Sequence, residues 1–256
     1  MEKREKLTPI NDHITLIDDN GEATCYLVCG AERALLIDTA NGPLDLKSLC
    51  AKLTTLPVTV VNTHGHCDHI FGNIWFDEAR LHPDDFRLHD EHYQFPEMQK
   101  AMRENNKRPA KLLPLNYGEV FDLGGLTLEV VPLRGHTQGS IGLLDRKDRI
   151  LFSGDGVIPH IWMQLNESAP IATLKQTLET LKREHGDEFD FLLTGHGKGL
   201  VGAHTYIDGL IKGCDELLCG ERANDMPYKY FAGECLAHPY SRSEGECIVF
   251  TEEKLK

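Results

Sequence analysis

The stretch Val58-Thr-Val-Val-Asn-Thr-His-Gly-His-Cys-Asp-His69 decides how this chain is read. A short β-branched strand, Val58–Val61, runs into a loop in which His64, His66, Asp68 and His69 can all bind a metal. Side chains alternate along a strand, so His64 and His66 project to one side of its end. In the turn beyond, Asp68 and His69 swing towards a second point. Neutral imidazole and carboxylate suit zinc, iron or manganese, and packing them together is electrostatically wasteful without a cation. The competing reading is a solvated polar turn. It is the weaker one, because a buried strand seldom ends in three histidines by accident.

Three more segments repeat the design: Val130-Val-Pro-Leu-Arg-Gly-His136, Ile150-Leu-Phe-Ser-Gly-Asp155 and Phe191-Leu-Leu-Thr-Gly-His196. Each runs from an apolar strand into a small-residue turn holding one potential ligand. A glycine directly precedes that ligand, which permits a sharp turn and close backbone approach. Loops at strand ends are where sites are commonly mounted on a rigid sheet.

Outside these segments, strands are expected at 13–17, 24–29 and 33–37, with turn chemistry at Asp19-Asn-Gly21 and Gly30-Ala-Glu32, so this part reads as a meander. A helix-period run with Leu46, Leu49 and Leu53 follows Gly42-Pro43 and ends at Pro57. Further strands are expected at 126–131, 141–144, 149–152 and 189–193, and helices at Ile171–His185 and 202–218. The pieces 228–231 and 247–251 read as a closing pair. Strands, helix, strands and helices in two similar halves suit a layered α/β domain over residues 1–256. Within it, the polar, helical stretch 84–111 is a candidate cap, and 219–256 is a C-terminal extension.

A net charge of −13 over 256 residues weighs against nonspecific binding to nucleic acid or an anionic membrane. No run approaches the roughly 20 apolar residues of a membrane-spanning helix. The charged start, Met1-Glu-Lys-Arg-Glu-Lys6, leads into no apolar stretch. The expectation is a cytoplasmic protein with its eight cysteines reduced. Its oligomeric state is left open.

Together, His64-Gly-His-Cys-Asp-His69, Gly135-His-Thr-Gln-Gly-Ser140, Gly154-Asp155 and Gly195-His-Gly197 resemble the signature of the metallo-β-lactamase-fold hydrolases. Leu36-Ile-Asp-Thr39 and Leu123-Gly-Gly125 add to the resemblance, which covers roughly residues 10–200. It implies a four-layer αββα sandwich with metals in a shallow cleft at one edge of two sheets. It further implies two divalent metal ions, zinc first, with iron or manganese as alternatives. His64, His66 and His136 would hold one; Asp68, His69 and His196 would hold the other, with Asp155 and a hydroxide bridging them. A carboxylate bridge relieves repulsion between two dications, whose charge lowers the pKa of bound water. The hydroxide would attack a carbonyl, with Asp68 as the catalytic residue that orients it and helps move its proton.

The substrate expected is a small ester, thioester or lactone. Metallo-β-lactamases proper do not generally bridge their metals through an aspartate at the position of Asp155, which weighs against an antibiotic-degrading role. Lactonases of this fold often carry a tyrosine a few residues after that aspartate, where this chain has Gly156-Val-Ile-Pro-His160. His160 is therefore a candidate substrate-binding donor, beside the plainer reading of a loop histidine. The basic cluster that binds glutathione in glyoxalase-II-like thioesterases has no positional match. The alternative within the fold is a single-iron sulfur dioxygenase using His64, His136 and Asp155. A phosphodiesterase or nuclease is disfavoured by the charge, and a dead binding scaffold by the complete ligand set. His82, His89 and His92 are expected on a solvated helical face, and Cys67 as a packed thiol.

Overall fold

Alternate residues of each strand go to different cores, and this places the layers. The computed structural model describes residues 6–18, 21–42 and 44–256; the start at 1–5, Asp19 and Asn20 of the expected turn, and Pro43 lie outside them. Among the described residues the strands form sheets of seven, six and four. The first contains β1 (Lys6–Pro9), β2 (Ile14–Asp18), β3 (Thr24–Cys29), β4 (Ala34–Ile37), β5 (Val58–Val61), β6 (Glu78–Leu81) and β7 (Lys111–Pro114), in that order. Neighbours are antiparallel from β1 to β4 and parallel from β4 to β7.

The second sheet is built from β8 (Val120–Asp122), β9 (Thr127–Pro132), β10 (Ile141–Asp145) and β11 (Ile150–Gly154). The chain then leaves for one short strand, β12 (His160–Trp162), and returns as β13 (Phe191–Thr194) and β14 (Val201–Gly202). β13 lies parallel to β11 on the side away from β10.

Tyr26, Val28, Leu35 and Ile37 face inward and meet Leu128, Val130, Leu143 and Phe152 of the second sheet. Their neighbours Leu27 and Leu36 turn outward, beneath Leu46 and Leu49 of α1 (Leu46–Leu53). Asp45 caps that helix by accepting from Ser48 N at 3.0 Å. On the opposite outer face, Val131, Leu144, Leu151 and Leu192 pack under α5 (Ile171–His185) and α6 (Ala203–Cys219). Helix, sheet, sheet, helix is the order the resemblance implies.

Two expectations change. The strands expected as a closing pair, β15 (Met226–Tyr230) and β17 (Cys247–Phe250), do not meet, because β16 (Gly233–Pro239) lies between them. With β12 they form the third sheet, whose β17 sends Ile248 and Phe250 into the core under α6. The stretch 84–111 is two short helices, α3 (Phe86–His92) and α4 (Pro96–Glu104), and is not helical beyond Asn105. Proline at the first helical position restarts the helix at α4. No described helix is long and apolar enough to cross a membrane.

The strands that carry the candidate-site residues end at a common edge. β4 and β5 are parallel, and β9 and β11 each lie antiparallel to β10 and so share a direction, as does β13. Their C-terminal ends deliver Asp38, His64, His136, Asp155 and His196 respectively.

Candidate metal centre

The structure gathers all seven residues expected as ligands. His64, His66 and His136 form one group, and Asp68, His69 and His196 a second, with the potential ligand atoms of each within 4.8 Å of one another. Asp155 stands between them: Oδ2 is 3.2 Å from His196 Nε2 and 3.7 Å from His136 Nε2, and Oδ1 is 3.7 Å from His69 Nε2. Two glycines make this approach possible. Gly154 turns at a φ of 49°, and a Cβ on Gly195 would sit 2.6 Å from His69 Cε1.

Each of the five imidazoles faces an acceptor with its outer nitrogen. His66 Nε2 meets Glu167 Oε1 at 2.6 Å, and His69 Nδ1 meets Asp38 Oδ2 at 2.9 Å. His136 Nδ1 meets Trp162 O at 2.7 Å, and His196 Nδ1 meets Glu22 O at 2.9 Å. His64 Nδ1 lies 3.1 Å from Thr63 Oγ1, whose hydroxyl donates to Asp38 Oδ2 at 2.8 Å. Carboxylates and carbonyls only accept, and the Thr63 hydroxyl already donates to Asp38, so each ring can keep a proton on its outer nitrogen and turn the other nitrogen inward, where it can serve a metal. Inside, His64 Nε2, His69 Nε2 and Asp155 Oδ1 are buried without a hydrogen-bond partner. Orphaned buried polar atoms of this kind are costly, and they fit a cation.

The charge pattern agrees. Burial, with the neighbouring imidazoles His69 and His66, pushes the pKa of His64 well down, and burial beside His66 holds that of His136 down to about 4. Both are therefore neutral, the form that binds metal. Burial works against ionised Asp155, but His196 and His69 outweigh it and keep the carboxyl well below its usual range. Asp155 in turn raises the pKa of His196 to about 9. Burial works against protonated His69, but Asp68, Asp155 and Asp38 outweigh it and raise its pKa well above the usual value. A divalent cation competes with those protons for the same ring nitrogens.

Asp38, Asp85 and Glu167 were missed as site residues by the sequence reading. Asp38, held at a φ of 58°, accepts from Thr63 N at 2.7 Å as well as from Thr63 Oγ1 and His69. Asp85 is buried and accepts from Gly65 N at 2.9 Å, Gly139 N at 2.8 Å and Thr137 Oγ1 at 2.7 Å. It ties the loop of His64 and His66 to the loop of His136. Asp85→Ala strands three buried donors, so a loss of about 3 kcal/mol or more is expected, read as a lower urea midpoint.

Beside the cluster lies a cavity of about 730 Å³. His66, Asp68, His136, Asp155 and His196 reach it from below, and Phe95, Trp162, Tyr228 and Phe231 wall it. His160 also lines it, on strand β12 rather than a loop, with Nε2 3.1 Å from Tyr228 Oη and Nδ1 3.2 Å from Gly245 O. Cys67 is half-buried at the edge, where burial pushes its thiol up to about 11. The solvated histidine face is overturned. His89 is buried against Tyr93, with ring centroids 4.4 Å apart, and His92 stacks on His66 at 5.5 Å and lines the cavity. Asp85, Leu88, His89 and His92 fall at helical spacing, so the polar stripe of α3 faces inward.

Comparison with known proteins agrees with this architecture. The acyl-coenzyme A thioesterase MBLAC2 of Gallus gallus is 31% identical over 166 residues, which are 55% of this chain and 59% of that protein. The atrochrysone carboxyl ACP thioesterase of Aspergillus fumigatus is 31% identical over 146 residues, 55% of this chain and 41% of that one. The chain thus spans under two thirds of the length of these curated relatives. A metallo-beta-lactamase from Pontibacter korlensis, 19% identical, superposes with a TM-score of 0.62 over 83% of this chain and 99% of its own. That likeness is one of fold. The model of the metallo-beta-lactamase superfamily matches residues 18–204, and the chain belongs to that superfamily.

Proposed function

We propose that this chain is a metal-dependent hydrolase that cleaves an ester, thioester or lactone of a small molecule at two divalent ions, zinc first. His64, His66 and His136 would hold one ion and Asp68, His69 and His196 the other, with Asp155 serving both. The observation that carries this reading is the set of five inward ring nitrogens around a carboxylate that reaches both groups. Among the acyl bonds, the thioester comes first, because two relatives bear thioesterase names. The cytoplasm is the proposed setting.

Divalent ions so held lower the pKa of water and polarise a carbonyl. The residues of the chain do the rest. Burial works against ionised Asp68, yet His69 and His196, 3.5 and 3.4 Å from its Oδ2, keep it a carboxylate. Its side chain is partly open to the cavity, so it can accept the proton of the attacking water and return it to the leaving group. Glu167 keeps His66 in one tautomer. Residues 84–111 act as the cap, through His92 and Phe95 at the cavity wall.

The test is turnover of p-nitrophenyl esters, acyl thioesters, lactones and a phosphodiester by protein reconstituted with zinc. Hydrolysis of the carboxyl derivatives, abolished by chelator and restored by zinc, is expected. Oxygen uptake on a persulfide by iron-loaded protein, with no acyl hydrolysis, would contradict it.

A further inference from the structure

We infer that the β15–β16 hairpin forms an acyl-binding wall, and that the group it selects is an uncharged, apolar or aromatic acyl chain. This rests on the hydrolase reading above and names the substrate portion that reading leaves open. The hairpin lies beyond residue 204, outside the part of the chain that defines the superfamily. It brings Tyr228, Tyr230 and Phe231 to the cavity that Phe95 also lines. Trp162 of β12 joins them, its ring centroid 6.3, 6.1 and 6.1 Å from those of Tyr228, Tyr230 and Phe231.

Two features separate this wall from ordinary packing. Phe231 is 83% exposed, the most exposed of the large apolar residues described. It stands with Ala232 at the tip of the hairpin, between paired Tyr230 and Gly233, and neither tip residue takes a positive φ. Two-residue hairpins favour Asn-Gly or Gly-containing tips, so an aromatic there breaks a local rule, as residues at functional sites do. The second feature is charge. Among the described residues lining the cavity there is no lysine or arginine, whereas Glu167 lies on its wall. A carboxylate or phosphate far from the metal cluster would lose water without gaining a cation. An alkyl or aryl group loses nothing there and covers the aromatic rings.

Two measurements decide the matter. The first is binding of non-hydrolysable 2-alkanones of increasing length, followed by the fluorescence of Trp162, with Trp162→Phe as the blank for the other tryptophan, Trp75. The expected result is affinity rising about three- to fourfold per methylene until the cavity is filled. The rise should flatten in Phe231→Ala and Tyr230→Ala, and a terminal carboxylate should weaken binding at least tenfold. The second is kcat/KM on the matching p-nitrophenyl acyl esters, which should climb in parallel. A flat binding series, or one that favours the carboxylate, overturns the wall whatever the rates. A steep binding series on a protein that hydrolyses no ester, thioester or lactone leaves the wall standing and removes the hydrolase reading alone.

Discussion

Asp155→Ala is expected to leave about one metal per chain and to lower hydrolysis by about 10²–10⁴-fold, the scale of losing metal activation of water. Asp155 is the carboxylate that faces both groups, so on the proposed two-ion site its loss would remove negative charge from both cations at once. The groups do not suffer equally. The first keeps three imidazoles, while the second is left with Asp68, His69 and the partly exposed His196. The second ion should therefore be lost. Metal analysis and initial rates beside His64→Ala and His160→Ala separate the cases. His64→Ala should disturb the first group, and His160→Ala should spare both. If a single iron were held by His64, His136 and Asp155, the same variant would emerge empty.

Asp38→Asn should weaken the second ion by about 10–100-fold, the usual cost of removing a partner that orients a metal-binding histidine, and the first by less, because the Thr63 hydroxyl that meets His64 Nδ1 also donates to Asp38 Oδ2. Asparagine tolerates the left-handed φ of 58° and still offers Thr63 N an acceptor, so the backbone is undisturbed. Its amide nitrogen, however, would face His69 Nδ1, where a carboxylate oxygen now accepts at 2.9 Å. Two donors cannot share that contact. His69 relieves the clash by carrying its proton on Nε2, and the lone pair needed by the metal disappears. Zinc titration against a chromophoric chelator reads both sites. Unchanged affinity at both would mean that the Asp38 contact does not set the tautomer.

Many of the strands, and the loops that form the candidate cluster, were legible because they announce themselves locally. Val58–Val61 and Ile150–Gly154 are short apolar runs ending in glycine and polar residues, and the structure brings their loops together. The helix Ile171–His185 is found at the bounds expected, since Leu174, Leu178 and Leu181 repeat at helical spacing and Pro170 stands before it. Strands β6 and β7 escaped notice. Glu78-Ala-Arg-Leu81 and Lys111-Leu-Leu-Pro114 have little β propensity, and parallel pairing at the far side of the first sheet makes them strands.

What supports the ligands was hidden for another reason. Asp85 and Glu167 lie 20 and 101 residues from the loop atoms they hold, so no spacing rule reaches them. Helix α3 shows why the polar stretch misled. Its inward stripe is Asp85, Leu88, His89 and His92, and a hydrophobic-periodicity reading treats three of those four as solvent-facing. Asp85 and His89 are buried and His92 is half-buried because this side of the helix packs against the histidine loop. The aromatic hairpin follows the same logic, since Phe231 acquires meaning only when β15 and β16 carry it to the cavity.

The most direct test of the two-ion site is anomalous X-ray diffraction at the zinc edge from crystals of the reconstituted protein. Two peaks are expected, one within His64, His66 and His136 and the other within Asp68, His69 and His196, with the Asp155 carboxylate between them. A single peak bounded by His64, His136 and Asp155, or no peak in the cluster, would contradict the account.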